Sequence, residues 1–206
     1  MKISDYLNNF PSDIPINIIG PLYRSGPLQE PVLFIDGGTN YRCNDSGLSV
    51  GDGDSSEFPL DILLSINKDF SDLAYALSAI PSHFSNVYLY GFLGERRDHE
   101  LFNLGAAHRF LENRSQPSTI QFEQTIIGYT AGRWNFQRDG LFSILCLKDT
   151  WLTLHGECNY PCQDRTQFQV LDSLGLSNVG HGEIDLQNEG PVFVIFETPT
   201  KYQHRT

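Results

Sequence analysis

Basic residues are scarce in this sequence. Its 206 residues include 14 lysines and arginines against 25 aspartates and glutamates, which gives a formal net charge of −11 at pH 7. A nucleic-acid groove needs a concentrated basic surface, so this balance argues against nucleic acid as a partner. It still allows anionic small ligands, because a few local arginines and a metal ion can reverse the field at one site.

Long apolar runs are also lacking. No uninterrupted apolar segment approaches the roughly 20 residues that span a bilayer. The amino-terminal run Met1–Tyr6 has no apolar core like that of a signal peptide. We therefore expect a cytoplasmic protein that does not associate with a membrane.

Cysteine is rare too. The four cysteines are widely scattered and give no sign of an oxidising compartment, so we expect reduced thiols. One alternative is a zinc site formed by His155, Cys158, Cys162 and His181. The spacing of these residues fits no compact zinc-knuckle pattern, which favours the reduced-thiol interpretation.

Apolar segments and helical runs alternate through the first part of the chain. Hydrophobic content of 40% and charged content of 19% are typical of a globular protein with a buried core. Residues 1–12 allow one short helix, and longer helical runs follow at 73–77 and 101–111. The apolar segments that predict strands are 14–20, 31–35, 48–50 and 86–91. This pattern predicts an α/β domain over residues 1–128, with a mostly parallel sheet and flanking helices.

The second part of the chain has short strands between turns and no long helical period. The clearest predicted strands are 141–147, 151–155 and 192–196. Residues 129–206 are therefore expected to form an antiparallel β-sandwich domain.

A charged turn, Gly94–His99, joins a predicted strand to a predicted helix. It brings two arginines, an aspartate and a histidine to the carboxyl edge of the expected sheet, where ligands usually bind. His99 and Asn103 are four residues apart and so share one helical face. A surface ion pair or a helix cap would explain Asp98 and one arginine. Neither explains the Asp-His-x-x-x-Asn pattern.

Carboxylates follow other predicted elements. Asp52 and Asp54 point to the same side if their segment is extended, and a divalent cation would relieve their repulsion. An ordinary Asp/Gly/Ser-rich surface turn is the alternative. Asp72 lies at a helix start, where it would either suit the helix dipole or also face a cation. The glycine pair at 37–38 either lets backbone amides approach a ligand or forms a simple tight turn.

Taken in order, these motifs resemble those of thiamine pyrophosphokinase. The family patterns are Asp-Gly-Gly-Ala-Asn, Gly-Asp-x-Asp-Ser, Asp-Gln-Asp-x-Thr-Asp, and Gly-Gly-Arg-x-Asp-His with a later Asn. The similar segments here are Asp36–Asn40, Gly51–Ser55, Asn67–Asp72, and Gly94–His99 with Asn103. Asn159–Pro161 and Leu176–Asn178 resemble two motifs of the family's sandwich domain. The resemblance spans nearly the whole chain.

The resemblance implies an α/β domain followed by a β-sandwich domain that binds thiamine and dimerises. It implies a homodimer whose thiamine site lies at the subunit interface. The implied reaction transfers the pyrophosphoryl group of ATP to the hydroxyl of thiamine, giving thiamine diphosphate and AMP. Mg²⁺ is the implied cofactor and ATP the co-substrate.

The resemblance also implies roles for individual residues. The implied Mg²⁺ ligands are Asp52, Asp54, Asp72 and Asp98. The implied catalytic residues are Asp72, Arg96 and Asp98. The implied nucleotide-binding residues are Gly37, Gly38, Asn40, Arg96, His99 and Asn103. The implied substrate-binding residues are Lys68, Ser177 and Asn178.

The departures from the family that bear on function are Gly53, which replaces a bulky apolar residue, together with Asn67, Lys68 and Glu95. Gly53 should make the loop between the paired aspartates more flexible. Lys68 stands where the family has glutamine, and a lysine would repel the cationic thiazolium of thiamine. Two alternatives follow. One is a Mg²⁺-dependent pyrophosphokinase with a different acceptor, and the other is a non-catalytic nucleotide or thiamine-diphosphate binder.

Overall fold

The computed structural model describes residues 1–26, 28–43 and 46–197. The chain divides into two compact units, Met1–Phe110 and the residues from Leu111 onward. Three α-helices and twelve strands lie within the described residues, and strand pairing is mixed. None of the described helices is both long and apolar enough to cross a membrane. The domain bounds 1–128 and 129–206, and the sandwich arrangement, stay predictions.

The first unit contains a parallel sheet. Its strands are β1 (Ile16–Ile19), β2 (Val32–Ile35), β3 (Leu48–Gly51), β4 (Ile62–Leu63) and β5 (Asn86–Tyr90). Its helices are α1 (Ile3–Leu7), α2 (Asp72–Ser78) and α3 (Arg97–Glu112), with a 3-10 helix at Asp36–Tyr41. The strand order is β5-β1-β2-β3-β4, and neighbouring strands pair in parallel. The strands predicted at 14–20, 31–35, 48–50 and 86–91 are confirmed as β1, β2, β3 and β5.

Burial explains why these segments take these forms. Every residue of β1, β2 and β3 is buried, which accounts for apolar runs in place of alternation. Helix α2 begins where the hydroxyl of Ser71 accepts a hydrogen bond from the amide of Ala74 at 3.2 Å. Helix α3 buries Leu104, Ala107 and Leu111 along one face.

The strand order brings polar side chains from different strands to one edge of the sheet. The carboxyl ends of parallel strands lie at the same edge of the sheet. Strands β2, β3 and β4 follow on one side of β1, whereas β5 lies on its other side, and ligands usually bind where the strand order switches in this way. Ile35 of β2 is paired with Val50 of β3. Asp36 follows Ile35 directly, and Asp52 follows soon after Val50. The two carboxylates therefore leave neighbouring strand ends at the same edge.

The second unit contains antiparallel strands. They are β6 (Thr119–Phe122), β7 (Ile126–Tyr129), β8 (Gly132–Leu145), β9 (Thr150–Cys158), β10 (Cys162–Phe168), β11 (Asn178–Asn188) and β12 (Val192–Phe196). Their order is β10-β9-β11-β8-β12-β7-β6. Phe136 packs edge-on against Phe142 and Phe196 within the core of this unit. The strands predicted at 151–155 and 192–196 are confirmed within β9 and β12, and the one predicted at 141–147 is confirmed as far as Leu145, where β8 ends.

Candidate functional site

A cavity of ≈ 540 Å³ lies in the first unit at the carboxyl edge of the parallel sheet. Its charged lining residues are Asp36, Asp52, Asp54, Lys68, Asp72, Glu95 and Arg96. Residues following β1, β2, β3 and β5 all contribute to the wall, as expected for a ligand site of a parallel sheet. Another cavity of ≈ 540 Å³ lies in the second unit. Among the described residues, no group of carboxylates that could hold one ion lines it.

Asp36, Asp52 and Asp54, the aspartate cluster, bring one carboxylate oxygen each to within 4.8 Å of one another. Asp36 was not among the metal ligands named from the sequence. Its backbone φ is 47°, an uncommon value for a residue with a side chain. Gly51 makes room for it, because a Cβ there would lie 2.9 Å from the Cα of Asp36.

Hydrogen bonds shape the loop that carries Asp52 and Asp54. The amide of Gly53 donates to Asp36 Oδ1 at 3.2 Å, and the hydroxyl of Ser55 donates to Asp54 Oδ1 at 2.8 Å. Gly53 has φ 83°, which only glycine adopts readily, so the departure from the family pattern permits this turn. The loop thereby turns its carboxylates toward Asp36.

Within this cluster the charged form of Asp36 is disfavoured. Burial raises the pKa of Asp36, and the neighbouring Asp54 raises it further, while a hydrogen bond from Ser55 opposes the rise. A divalent cation would favour the charged forms and relieve this repulsion. Oxygen ligands of this kind suit Mg²⁺.

Lys68 also lines the cavity, in contact with Asp52 and Asp72. Its Nζ is 2.5 Å from Asp52 Oδ2 and 3.2 Å from Asp72 Oδ1. Its side chain is only 8% exposed. Burial opposes its charge, but hydrogen bonds and attraction from the two carboxylates outweigh burial and raise the pKa of Lys68. The hydrogen bond from Lys68 lowers the pKa of Asp52. Burial raises the pKa of Asp72, and Lys68 only partly opposes that rise.

The charged turn forms where the sequence predicts, with Gly94–Arg96 ahead of α3 and Arg97–His99 as the first residues of that helix. Gly94 and Glu95 both have positive φ, 108° and 56°, and the Gly94 amide donates to the Glu100 carboxylate. Arg96 donates two hydrogen bonds to Asp98, at 3.3 and 2.7 Å. This is the ion pair that the sequence left open as an alternative.

The turn sends its side chains in different directions. Arg96 lines the cavity, whereas Asp98 pairs with Arg96 and is 54% exposed. Among the described residues, the cluster close enough for one ion excludes both Asp98 and Asp72. His99 and Asn103 line the cavity from the first turns of α3, and the Asn103 amide donates to the carbonyl of Phe92 at 3.0 Å.

Comparison with protein-family models and with curated proteins found no match to this sequence. Comparison with solved structures did. Thiamine pyrophosphokinase from Bacillus subtilis matches with TM-score 0.63 and 20% identity, over 91% of this chain and all (100%) of that one. Thiamin pyrophosphokinase from Candida albicans matches with TM-score 0.68 and 12% identity, over 94% of this chain and 90% of that one. The chain is similar in fold to thiamine pyrophosphokinases. The match to the Geobacillus thermodenitrificans enzyme agrees, with TM-score 0.62, 20% identity and coverage of 91% and 99%.

The resemblance to thiamine pyrophosphokinases drawn from the sequence motifs is thereby confirmed at the level of fold. The glycine pair of the first motif serves packing, because Gly37 and Gly38 are buried. A Cβ on Gly38 would collide with the carbonyl of Ile19. The side-chain amide of Asn40 holds the loop that follows Asp54. It donates a hydrogen bond to the Ser55 carbonyl at 3.3 Å and accepts one from the Glu57 amide at 2.8 Å.

The two residues named for thiamine binding lie in the second unit. Ser177 is exposed and has φ 60°. Asn178 is buried, and its side chain both accepts from the Tyr160 amide at 3.1 Å and donates to the Tyr160 carbonyl at 2.9 Å. Asn178 therefore holds the Asn159–Pro161 segment in place, so the two motifs that resemble thiamine pyrophosphokinases meet each other here.

The zinc alternative is not supported within the described residues, where only the aspartate cluster converges closely enough for one ion. His181 instead shares a hydrogen bond with Asn159 at 2.8 Å. Cys158 and Cys162 pack against the apolar core of the second unit, and burial raises the pKa of both thiols.

Proposed function

We propose that this chain is a Mg²⁺-dependent thiamine pyrophosphokinase. In this proposal it transfers the pyrophosphoryl group of ATP to the hydroxyl of thiamine and releases thiamine diphosphate and AMP. The observation that carries the proposal is the aspartate cluster, three carboxylates within 4.8 Å in a cavity that also presents an arginine. The fold of the chain supports it, because solved structures named thiamine pyrophosphokinase share that fold.

The aspartate cluster fits Mg²⁺. Its members come from two neighbouring strand ends, offer only oxygen ligands, and include a carboxyl group whose pKa is raised by burial and by a like charge. Mg²⁺ held by these residues would neutralise negative charge on the phosphates during transfer. We place this ion at Asp36, Asp52 and Asp54. Asp98 acts instead through Arg96, and Asp72 is left free of the ion for the proton step described below.

Arg96 supplies positive charge in the cavity that the aspartate cluster lines. Its guanidinium lines the cavity and is held by Asp98 at 2.7 Å, which fixes its orientation. A guanidinium that is held in this way can bind phosphate oxygens and stabilise the charge that develops on them. His99 and Asn103, on the same wall, complete the proposed ATP site.

The reaction follows from this arrangement. The acceptor hydroxyl oxygen bonds to the β-phosphorus of ATP, and the bond from that phosphorus to the oxygen bridging to the α-phosphate breaks. AMP leaves with that oxygen, and the hydroxyl proton passes to solvent through a cavity carboxylate. Asp72 lines the cavity and is the carboxylate we assign to that step. Phosphoryl-type transfer needs mainly positioning and charge neutralisation, which this set of side chains can provide.

For the acceptor, we propose a homodimer that binds thiamine at the subunit interface. Ser177, exposed in the second unit, offers a hydroxyl to the acceptor, and Asn178 positions the adjacent segment. A different acceptor is the second candidate, because Lys68 lines the cavity where the family has glutamine. Because two carboxylates neutralise the Lys68 ammonium, its repulsion of a thiazolium ring is weakened, which favours thiamine.

The proposal is tested by supplying ATP, Mg²⁺ and one alcohol at a time, and measuring AMP. Thiamine should give AMP and thiamine diphosphate, whereas AMP only with another alcohol would establish the second candidate. Stabilisation of the protein by ATP or thiamine diphosphate without any turnover would identify a non-catalytic binder. The exposed Asp13 provides a control, since Asp13→Asn should leave AMP formation unchanged.

A further inference from the structure

Lys68 places a buried ammonium between carboxylates of two separate elements. Asp52 follows β3 and Asp72 begins α2, and both side chains are 15% exposed. The Nζ contacts one oxygen of each carboxylate, at 2.5 and 3.2 Å. The contact with Asp52 is a hydrogen bond, and the contact with Asp72 has ion-pair distance.

An ammonium in this position neutralises the two carboxylates, as a bound metal ion would. Two largely buried carboxylates that face each other need a positive charge between them. Mg²⁺ would meet that need at about 2.0–2.1 Å from each oxygen, with near-octahedral geometry. The Lys68 ammonium meets it at hydrogen-bond distances and is covalently attached to the chain. It fills the space that an ion bridging Asp52 and Asp72 would occupy.

We propose that Lys68 is a tethered cation that takes the place of a second divalent ion, so that this chain binds one divalent cation, at the aspartate cluster. This inference rests on the metal role of that cluster in the proposed function. It makes Lys68 a positioning residue, which holds Asp52 toward the cluster and Asp72 toward the cavity. It also removes Lys68 from direct recognition of the acceptor.

Counting bound Mn²⁺ tests this inference without relying on turnover. The purified protein is titrated with Mn²⁺, and free Mn²⁺ is followed by electron paramagnetic resonance. The unmodified protein should bind one ion, and Lys68→Gln should bind two, because Asp52 and Asp72 are then free to hold the second. Lys68→Arg keeps the charge and should return the count to one.

Two further variants separate this effect from a general change in charge. Lys148 is 67% exposed and paired with Glu112 at 2.6 Å, so Lys148→Gln also removes one lysine charge, but on the surface. It should leave the count at one. Adding Asp72→Asn to Lys68→Gln should abolish the gained ion. Circular dichroism and the thermal unfolding midpoint establish that each variant is folded.

The outcomes distinguish this inference from the proposed function. Two ions in the unmodified protein, or equal counts in the unmodified protein and Lys68→Gln, would overturn the proposed role of Lys68. Either result would leave the metal role of the aspartate cluster standing. Absence of Mn²⁺ binding in the unmodified protein would overturn the metal role of the aspartate cluster, and this inference with it. If Lys68→Gln does not fold, the count in the unmodified protein still decides, because a count of two contradicts the inference.

Discussion

Arg96 and Asp98 form a two-pronged ion pair, with guanidinium nitrogens 3.3 and 2.7 Å from the two carboxylate oxygens. The aspartate that the sequence assigns to metal binding is therefore engaged by the arginine two residues before it. Both side chains are more than half exposed, so the pair contributes little to stability. Its consequence is geometric, because it fixes the guanidinium at the cavity wall.

Arg96→Lys should lower the rate of AMP formation by about 10²–10³-fold. This is the typical loss when an active site loses one fixed hydrogen-bond donor to the charge that develops in the transition state. Lysine keeps the charge but cannot reproduce the planar fork that Asp98 holds. The neighbouring Arg97 is the matched control, because it is 93% exposed, and Arg97→Lys should be neutral. Steady-state kinetics of both variants check this, and equal effects would contradict the role of Arg96.

Asp36→Asn should weaken Mn²⁺ binding by at least about tenfold, because it removes one charged ligand from the cluster. Calorimetric titration of the folded variant measures the change. Asp13→Asn makes the same substitution at an exposed position outside the cavity and should bind Mn²⁺ as the unmodified protein does. Unchanged affinity in Asp36→Asn would remove Asp36 from the ligand set.

Asp61 should make the stability of the protein depend on pH. Burial of Asp61 opposes ionisation, but hydrogen bonds from the Ser49 amide and hydroxyl, together with Arg42, outweigh it and lower the pKa below its ordinary 3.8. A lowered folded pKa adds stability that is fully present above the unfolded pKa and is lost as pH falls through the folded pKa. Urea unfolding at pH 7 and near pH 3 should therefore show a larger loss in the unmodified protein than in Asp61→Asn. An equal loss would contradict this assignment.

Asn178→Ala should destabilise the protein by about 1–3 kcal/mol, because it leaves partly buried backbone groups of Tyr160 without their partner. The free energy of unfolding in urea measures this. Ser177→Ala, next to it in sequence but exposed, should change stability by less than about 0.5 kcal/mol. Similar losses in the two variants would mean that the Asn178 hydrogen bonds do not hold the segment.

Strands β1, β2 and β3 of the parallel sheet were predictable from sequence because every residue in them is buried and they appear as apolar runs. Strands β10 and β11 were not predicted, for a physical reason. Strand β10 lies at one end of the strand order and is largely exposed, so its sequence is polar. Strand β11 alternates buried and exposed residues, but Gly180 and Gly182 interrupt it and indicate a turn.

The site was partly predictable. Asp52 and Asp54 were named because carboxylates follow a buried strand, and the same argument applies to Asp36. It was overlooked because the sequence does not show that β2 and β3 are neighbours. The sequence also cannot show which partner a flexible side chain selects. Lys68 therefore looked like a free positive charge, although the structure neutralises it with two aspartates.

The central claim is transfer of a pyrophosphoryl group from ATP to thiamine. The most direct measurement is a product analysis by chromatography and mass spectrometry after incubation of the purified protein with ATP, Mg²⁺ and thiamine. The account predicts AMP and thiamine diphosphate in equal amounts, with both lost on chelation of the metal. Formation of ADP with thiamine monophosphate, or no product from thiamine at all, would contradict it.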